Sequence, residues 1–420
     1  MLCLPKSLGQ LSALTALRVS AQSTLTCLPD SVGQLAALTQ LEVSWCPALA
    51  CVPESVGQLT ALTQLDLSHC KALTFLPESV GQLTALTELV LNCCRALRCL
   101  PESVGQLAAL TTLDLKETAL TRLPESVSRL AALTLLDLCF CELTCLPESL
   151  GYLAALTKLD LRCEELTYLP ESLIQLAALT ELHVWSCFAL TRLPEAIGQL
   201  AALHVLELPH CKTLTSLPES VGQLGALSTL DLTECQTLTC LPESTGQLSA
   251  LTGLYLGACR ALTCLPESVG RLAALTTLEL YECEALTRLP ESVGQLAALT
   301  ELGLQQCTGL TCLPRSLGHL AALTELNVSM CPALTRLPES MGQLTALSVF
   351  DAWHTSTTTP PDVQGWASRL LAANRRFARL RRRELLLVSL GQRQAAYRLP
   401  RELWLLIDMM LWQSQPGRYF

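Results

Sequence analysis

Fifteen prolines set the spacing of this chain and leave it few ways to fold. Pro5, Pro29, Pro53, Pro77, Pro101, Pro124, Pro147, Pro170, Pro194, Pro218, Pro242, Pro266, Pro290, Pro314 and Pro338 recur every 24 residues in eleven of the fourteen intervals. The three intervals from Pro101 to Pro170 are 23 residues each. The phrase LPESVGQLAALT stands unchanged at 100–111 and 289–300. So short and regular a period marks a repeat array, in which each unit is one small supersecondary element.

Within a unit the leucines fall as LxxLxxLxLxxC followed by xxLxxLP, as in Leu272–Pro290. Leu278, Glu279 and Leu280 alternate in, out, in, the pattern of a strand with one buried face. Pro290 suits the first position of a helical turn, and 291–296 has room for only a short one. A lone strand and turn cannot cover their own leucines, so the units must stack. The expected fold is an α/β solenoid of fifteen units, with parallel strands on one side and short helical turns on the other.

This pattern over residues 1–354 resembles the leucine-rich repeat family. The variant LxxLxxLxLxxCxxLxxLPxSxGxL is similar to intracellular members, including plant immune-receptor repeats and Ras-associated scaffold repeats. The resemblance implies a horseshoe with its strands on the concave side and a ligand, usually a protein, held there. Fifteen strands about 4.8 Å apart would make an arc of about 70 Å.

Composition narrows the class. Half of the 420 residues are hydrophobic, yet Thr, Ser, Gln and Glu interrupt every leucine cluster, so no apolar run is long enough for a transmembrane helix. The opening MLCLPKSLGQL lacks the basic and apolar regions of a signal peptide and starts in mid-repeat. A cytoplasmic location is therefore expected, and with it a reducing environment for the 22 cysteines. Eleven of these occupy one ladder position, three residues past the second strand leucine: Cys46, Cys70, Cys94, Cys141, Cys187, Cys211, Cys235, Cys259, Cys283, Cys307 and Cys331. Eight stand two residues before a proline: Cys3, Cys27, Cys51, Cys99, Cys145, Cys240, Cys264 and Cys312. Ladder cysteines read as small buried groups, and no disulfide framework or zinc site is expected. Cys93, Cys139 and Cys163 fit neither column and read as candidate exposed thiols.

Function should lie in the outward strand residues. The central column runs Arg18, Glu42, Asp66, Val90, Asp114, Asp137, Asp160, His183, Glu207, Asp231, Tyr255, Glu279, Gly303, Asn327, Asp351, with nine acidic members and one basic. A wall of one sign favours a basic partner, while the bland reading is a strand kept soluble. Trp45, Phe140, Trp185, Tyr255, Tyr281 and Trp353 fall at outward or turn-edge positions, where rings serve as interface anchors or lie flat on their neighbours. The expected protein-binding residues are Trp185, Glu207, Asp231, Tyr255, Glu279 and Tyr281.

The short units centre on Thr118, Cys141 and Glu164, and two of the three lack the ladder cysteine, so a change of curvature is expected there. No phosphate loop, nucleophile elbow or zinc-helix motif occurs. The six histidines are scattered and read as solvated surface groups. No catalysis, cofactor, metal or small-molecule substrate is expected.

After residue 354 the chain changes character. Residues 355–361 read as a linker and 362–420 as a helical, basic tail. Residues 355–420 carry a net charge of +7, which leaves −16 for residues 1–354. Arg379, Arg381, Arg382 and Arg383 are candidate tail contacts for nucleic acid, acidic membrane or an acidic protein face, against the reading of a solvated helix face. The segment 397–411 resembles the opening helix of an F-box, whose motif begins LPxEL. That resemblance implies binding to a ubiquitin-ligase adaptor. The sequence thus points to a protein-interaction scaffold of intracellular signalling or defence, with a ligase substrate-recognition subunit as the alternative.

Overall fold

The computed structural model describes residues 2–352 and 355. Within them the array forms a parallel sheet of fifteen short strands in chain order, beginning at Ala16–Arg18. A two-stranded ladder, Leu2–Cys3 with Leu25–Cys27, lies outside that sheet. The expected solenoid is present, and the unit from Pro266 to Pro290 shows how its sequence builds it.

Pro266 is extended (φ −66°, ψ 150°) and precedes a 3-10 turn, Glu267–Arg271. The proline therefore stands one residue ahead of the turn, not at its first position as the sequence suggested. Its carbonyl accepts the Val269 N–H at 3.1 Å, and the Val269 carbonyl accepts the Leu272 N–H at 3.1 Å. The strand Thr277–Glu279 then pairs in parallel with Gly253–Tyr255 on one side and Glu301–Gly303 on the other. Val269, Leu272, Leu275, Leu278, Leu280, Cys283 and Leu286 all point inward and are fully buried. Each unit covers the apolar face of the one before it.

The narrow turn is a packing requirement. A β-carbon at Gly270 would lie 2.4 Å from the Ser292 carbonyl oxygen of the next turn. An α-helix about 10 Å across could not stack at that separation. The glutamate that follows most of these prolines joins successive turns. Glu243 Oε2 accepts the Ser268 N–H at 3.2 Å, and Glu78 does the same for Ser103. Glu291 accepts both the Arg315 and Ser316 N–H groups, at 3.0 and 2.9 Å, and these backbone donors hold its carboxyl below the usual range.

Beyond most strands a left-handed residue bends the chain inward. Among the described residues thirteen non-glycine residues have positive φ, including Trp45, His69, Phe140, Glu234 and Glu282. In the 266–290 unit Glu282 (φ 55°) donates its N–H to the Gln305 carbonyl at 2.8 Å and turns the next residue, Cys283, into the core. The buried thiol then donates to a strand-end carbonyl of the preceding unit. Cys283 reaches Leu256 O at 3.2 Å, Cys94 reaches Leu67 O at 3.1 Å, and Cys307 reaches Leu280 O at 3.0 Å. Such a carbonyl would otherwise be buried without a partner, which is costly.

Burial pushes these thiols up, to about 12 for Cys70, Cys94, Cys259 and Cys307 and to about 11 for Cys141 and Cys187. They stay protonated at neutral pH and shielded from electrophiles. A maleimide added to the native chain is thus expected to label the exposed Cys99, Cys240, Cys264 and Cys312. The ladder cysteines should react only in denaturant. Labelling of Cys283 or Cys307 in the native chain, read by peptide mass, would contradict this burial.

Three cysteine readings need correction. Cys163 belongs to the ladder: it is fully buried, and its thiol donates to Leu138 O at 3.3 Å. Its unit lacks a left-handed residue, so the ladder position arrives one residue early, directly after the strand Lys158–Arg162. Of the three short units only that of Thr118 lacks a ladder cysteine, the threonine hydroxyl donating to Leu115 O at 2.8 Å. Cys139 is buried and Cys93 half-buried, so neither is an open thiol. Finally, Cys3 and Cys27 form a disulfide, against the expectation of none.

Apart from Thr355, the sequence-based linker 355–361 and tail 362–420, with Trp353, the arginine contacts Arg379, Arg381, Arg382 and Arg383, and the F-box-like segment 397–411, lie outside the described residues. Among the described residues no helix is long and apolar enough to cross a membrane.

Candidate protein-binding face

The register of the sheet assembles the outward column into one row. Asp137, Asp160, His183, Glu207, Asp231, Tyr255, Glu279 and Gly303 pair in succession from strand to strand. Neighbours in the row are about 4.8 Å apart. Residues far apart in the chain therefore act as one surface.

Not all of the acidic row faces a partner. Asp231 accepts the Thr233 N–H at 2.8 Å, Asp66 that of Ser68 at 2.8 Å, and Asp137 that of Cys139 at 2.8 Å. These side chains fold back two residues along the chain, as Asx turns do, and fix the strand exit. Burial raises the Asp231 carboxyl above its usual range. Its first role is structural. Asp160 makes no such bond, because the early ladder turn at Cys163 changes the backbone it would cap; its Oδ1 is buried without a hydrogen bond.

That break also sets up Trp185. Its N–H donates backward to Leu161 O at 2.7 Å, whereas at the same position two units on the Thr233 N–H donates to the Asp231 carboxylate of its own strand at 2.8 Å. The indole is 36% exposed, and its Nε1 donates to Glu207 Oε2 at 2.9 Å. Glu207 Oε2 also meets His183 Nδ1 at 2.8 Å. The other ring nitrogen, Nε2, lies 3.2 Å from Glu181 Oε2 and 3.9 Å from Asp160 Oδ1. Lys158 Nζ closes the group at 3.5 Å from Asp160 and 3.4 Å from Glu181. His183 is thus a buried hub, only 8% exposed, and not the solvated surface group expected from sequence. Burial opposes its charge, but hydrogen bonds to Glu207 and Glu181 outweigh that and raise its pKa. Its contribution to stability is full at acidic pH and fades as pH rises through the raised value.

A second cluster follows two strands on. Tyr255, Glu279 and Tyr281 are half-buried, and three glycines make room for them. A β-carbon at Gly253 would strike the Tyr255 ring, one at Gly257 the Tyr281 ring, and one at Gly303 the Glu279 carboxylate. The rings therefore lie on the backbone at Gly253 and Gly257, as the bland sequence reading allowed, and the Glu279 carboxylate lies the other way, over Gly303 of the next strand. The Glu279 carboxyl is pushed up to about 7 by its burial and by Glu301 and Glu325. A third exposed ring, Phe140, lies beneath Arg162 at 4.2 Å from the ring centre and near Lys116 at 5.7 Å. Trp45 stacks on His69 with ring centres 3.7 Å apart.

Sequence reasoning named six residues here, and the structure groups them in two. Trp185 and Glu207 meet directly, Tyr255, Glu279 and Tyr281 share the glycine floor, and Asp231 lies in the row between them. It missed Lys158, Glu181 and His183, whose partners are a whole unit away in sequence. It also missed the glycines, whose signal was their recurrence at outward strand positions.

Two family models match the chain, one described as a leucine-rich repeat region over residues 255–362 and one as a leucine rich repeat over residues 84–143. No curated protein sequence is significantly similar to it. Among solved structures, a leucine-rich-repeat protein of Leptospira interrogans is 29% identical, with a TM-score of 0.66 over 89% of this chain and 98% of that one. The Arabidopsis receptor kinase HAESA, solved with the peptide hormone IDA and the co-receptor SERK1, is 22% identical, with a TM-score of 0.54 over 87% of this chain and 66% of that one. The functional domain of InlJ from Listeria monocytogenes, described as including a cysteine ladder, is 23% identical, with a TM-score of 0.50 over 84% of this chain and 66% of that one. With its period, its stacked strands and turns, and these matches, the chain belongs to the leucine-rich repeat family.

Proposed function

We propose that this chain is a non-enzymatic interaction module that binds a protein through the outer face of its sheet, between the strands Lys158–Arg162 and Glu301–Gly303. Leucine-rich repeat proteins generally serve as protein–protein interaction modules, which supports the class. The partner is expected to present basic side chains. The observation that carries this is Glu279, a half-buried carboxyl lying over Gly303 and raised to about 7 beside two other carboxyls. Burial first, and then repulsion from Glu301 and Glu325, keeps it protonated, and an arriving cation offsets both. Trp185, held by Glu207, supplies an exposed aromatic anchor at the other end of the row.

The test is recovery of partners by affinity purification from a lysate, followed by mass-spectrometric identification. It compares the full chain with a Tyr255→Ala/Glu279→Lys double variant and with a chain ending at Thr355. Loss of the main partner in the double variant alone supports the sheet face. Loss of cullin-adaptor proteins on truncation alone favours the ligase reading. Recovery unchanged in both variants overturns the assignment.

A linked prediction follows from the sign of the Glu279 shift. Its folded pKa lies above the ordinary 4.5, so a cation binding beside it must displace a proton below about pH 7. Affinity for the basic partner is expected to rise about tenfold from about pH 6 to about pH 8. Glu279→Gln should flatten that dependence in calorimetric titrations. A wild-type affinity that does not change over this range would show that no cation sits at Glu279.

A further inference from the structure

The column two residues before each proline holds chemistry that the interaction face does not use. Its first two cysteines, Cys3 and Cys27, are joined in a disulfide across adjacent units, with Cα atoms 5.4 Å apart and 24 residues between them in sequence. Cys240 and Cys264 hold the same phase in two later units, are also 24 residues apart, and are both exposed free thiols. The backbone beside them is already clasped: Thr263 donates its N–H to Thr239 O at 3.1 Å, and its hydroxyl reaches the same oxygen at 3.3 Å. Adjacent positions of a parallel stack lie about 4.8 Å apart, within the about 4.4–6.8 Å between Cα atoms that a disulfide spans without moving the backbone.

The other exposed cysteines of the column lack such a neighbour. Cys312 is bridged in register to Arg288 on one side and Arg336 on the other. Cys99 stands between Phe75 and Arg122 in the same column, one unit away on either side. Among the exposed thiols, only Cys240 and Cys264 occupy consecutive units.

We propose that Cys240 and Cys264 form a redox-modification site that takes low-molecular-weight disulfides such as oxidised glutathione and closes into an inter-unit disulfide. One thiolate attacks a glutathione sulfur, forms a mixed disulfide and expels one glutathione thiolate. The second cysteine, as thiolate, then attacks the protein sulfur of that mixed disulfide. A bond forms between the two protein sulfurs, and the second glutathione leaves as thiolate. The protein gives up two electrons and two protons in all, and one oxidised glutathione is reduced to two thiols. Closure fastens two units together on the side away from the interaction face and leaves the ladder thiols untouched.

The experiment treats the full chain with oxidised glutathione, blocks remaining thiols and maps the products by peptide mass spectrometry. Cys99 and Cys312 serve as internal controls. The expected result is a Cys240–Cys264 cross-linked peptide two hydrogens lighter than the reduced pair, while Cys99 and Cys312 carry glutathione. In Cys264→Ser, Cys240 should hold glutathione as a stable adduct, because the resolving thiol is gone. Glutathione on both Cys240 and Cys264 of the unsubstituted chain would overturn the proposal. So would free thiols at both positions beside modified controls, or a cross-link from either residue to any other cysteine.

Discussion

Replacing Leu206 with Ala should destabilise the array by about 3 kcal/mol and move its urea midpoint accordingly. Leu206 is fully buried and pairs in register with Leu182 and Leu230, so it stands midway in an unbroken inward row. Removing its three outer carbons takes away transfer free energy and leaves a cavity. The walls of that cavity belong to two neighbouring units held by their own ladders, so collapse is limited. A stack of this kind is held by nearest-neighbour contacts, so the loss concentrates at one joint. Hydrogen exchange should show the amides of 182–230 opening first. An unchanged midpoint would mean the inward row does not carry the stability assigned to it.

The second large effect is expected on the turn side, from adding a single carbon. In Gly222→Ala the new methyl would lie 2.3 Å from Ser244 O and 2.7 Å from Ser244 Cβ, one atom being backbone and the other fixed to it. Neither can rotate away, so the two turns must separate. Overpacking of this kind costs about 1–3 kcal/mol. Gly342 is the matched control, because among the described residues nothing lies within 4 Å of a β-carbon built there. Gly342→Ala should be neutral or stabilising by up to about 1 kcal/mol, since it restricts the unfolded chain. Thermal melts of the two variants check the argument, and equal destabilisation in both would refute it.

How much of this was legible in the sequence follows from what a period can encode. Leu278, Leu280 and Cys283 recur with fixed phase, and phase alone decides which side faces inward, so the stack, its strands and the buried ladder were readable. Cys163 was misplaced because one missing residue shifts the phase in its unit and conceals a ladder member at an unfamiliar offset. The acidic row was legible as charge but not as geometry. Asp231 and Glu207 look alike in composition, yet the shorter side chain reaches its own backbone while the longer one reaches His183. The His183 hub was hidden because its partners are set by register, not by proximity in the chain. The glycine floor under Tyr255, Glu279 and Tyr281 could be seen only once the strands were aligned.

The glutamate that reaches from one turn to the next gives the stack a direction. In many interior units the glutamate accepts a backbone N–H of the next turn, as Glu243 does from Ser268 and Glu291 from both Arg315 and Ser316. The ladder thiols run the opposite way, each donating to a carbonyl of the unit before. A whole unit copied in tandem therefore arrives with its own donors and acceptors already matched to both neighbours. Growth or loss by whole units leaves every junction chemically complete, whereas a slip of a single residue is felt at one junction and no further. Variation in length is thus cheap for such a chain, and the identity of the outward side chains is where selection on its recognition can act.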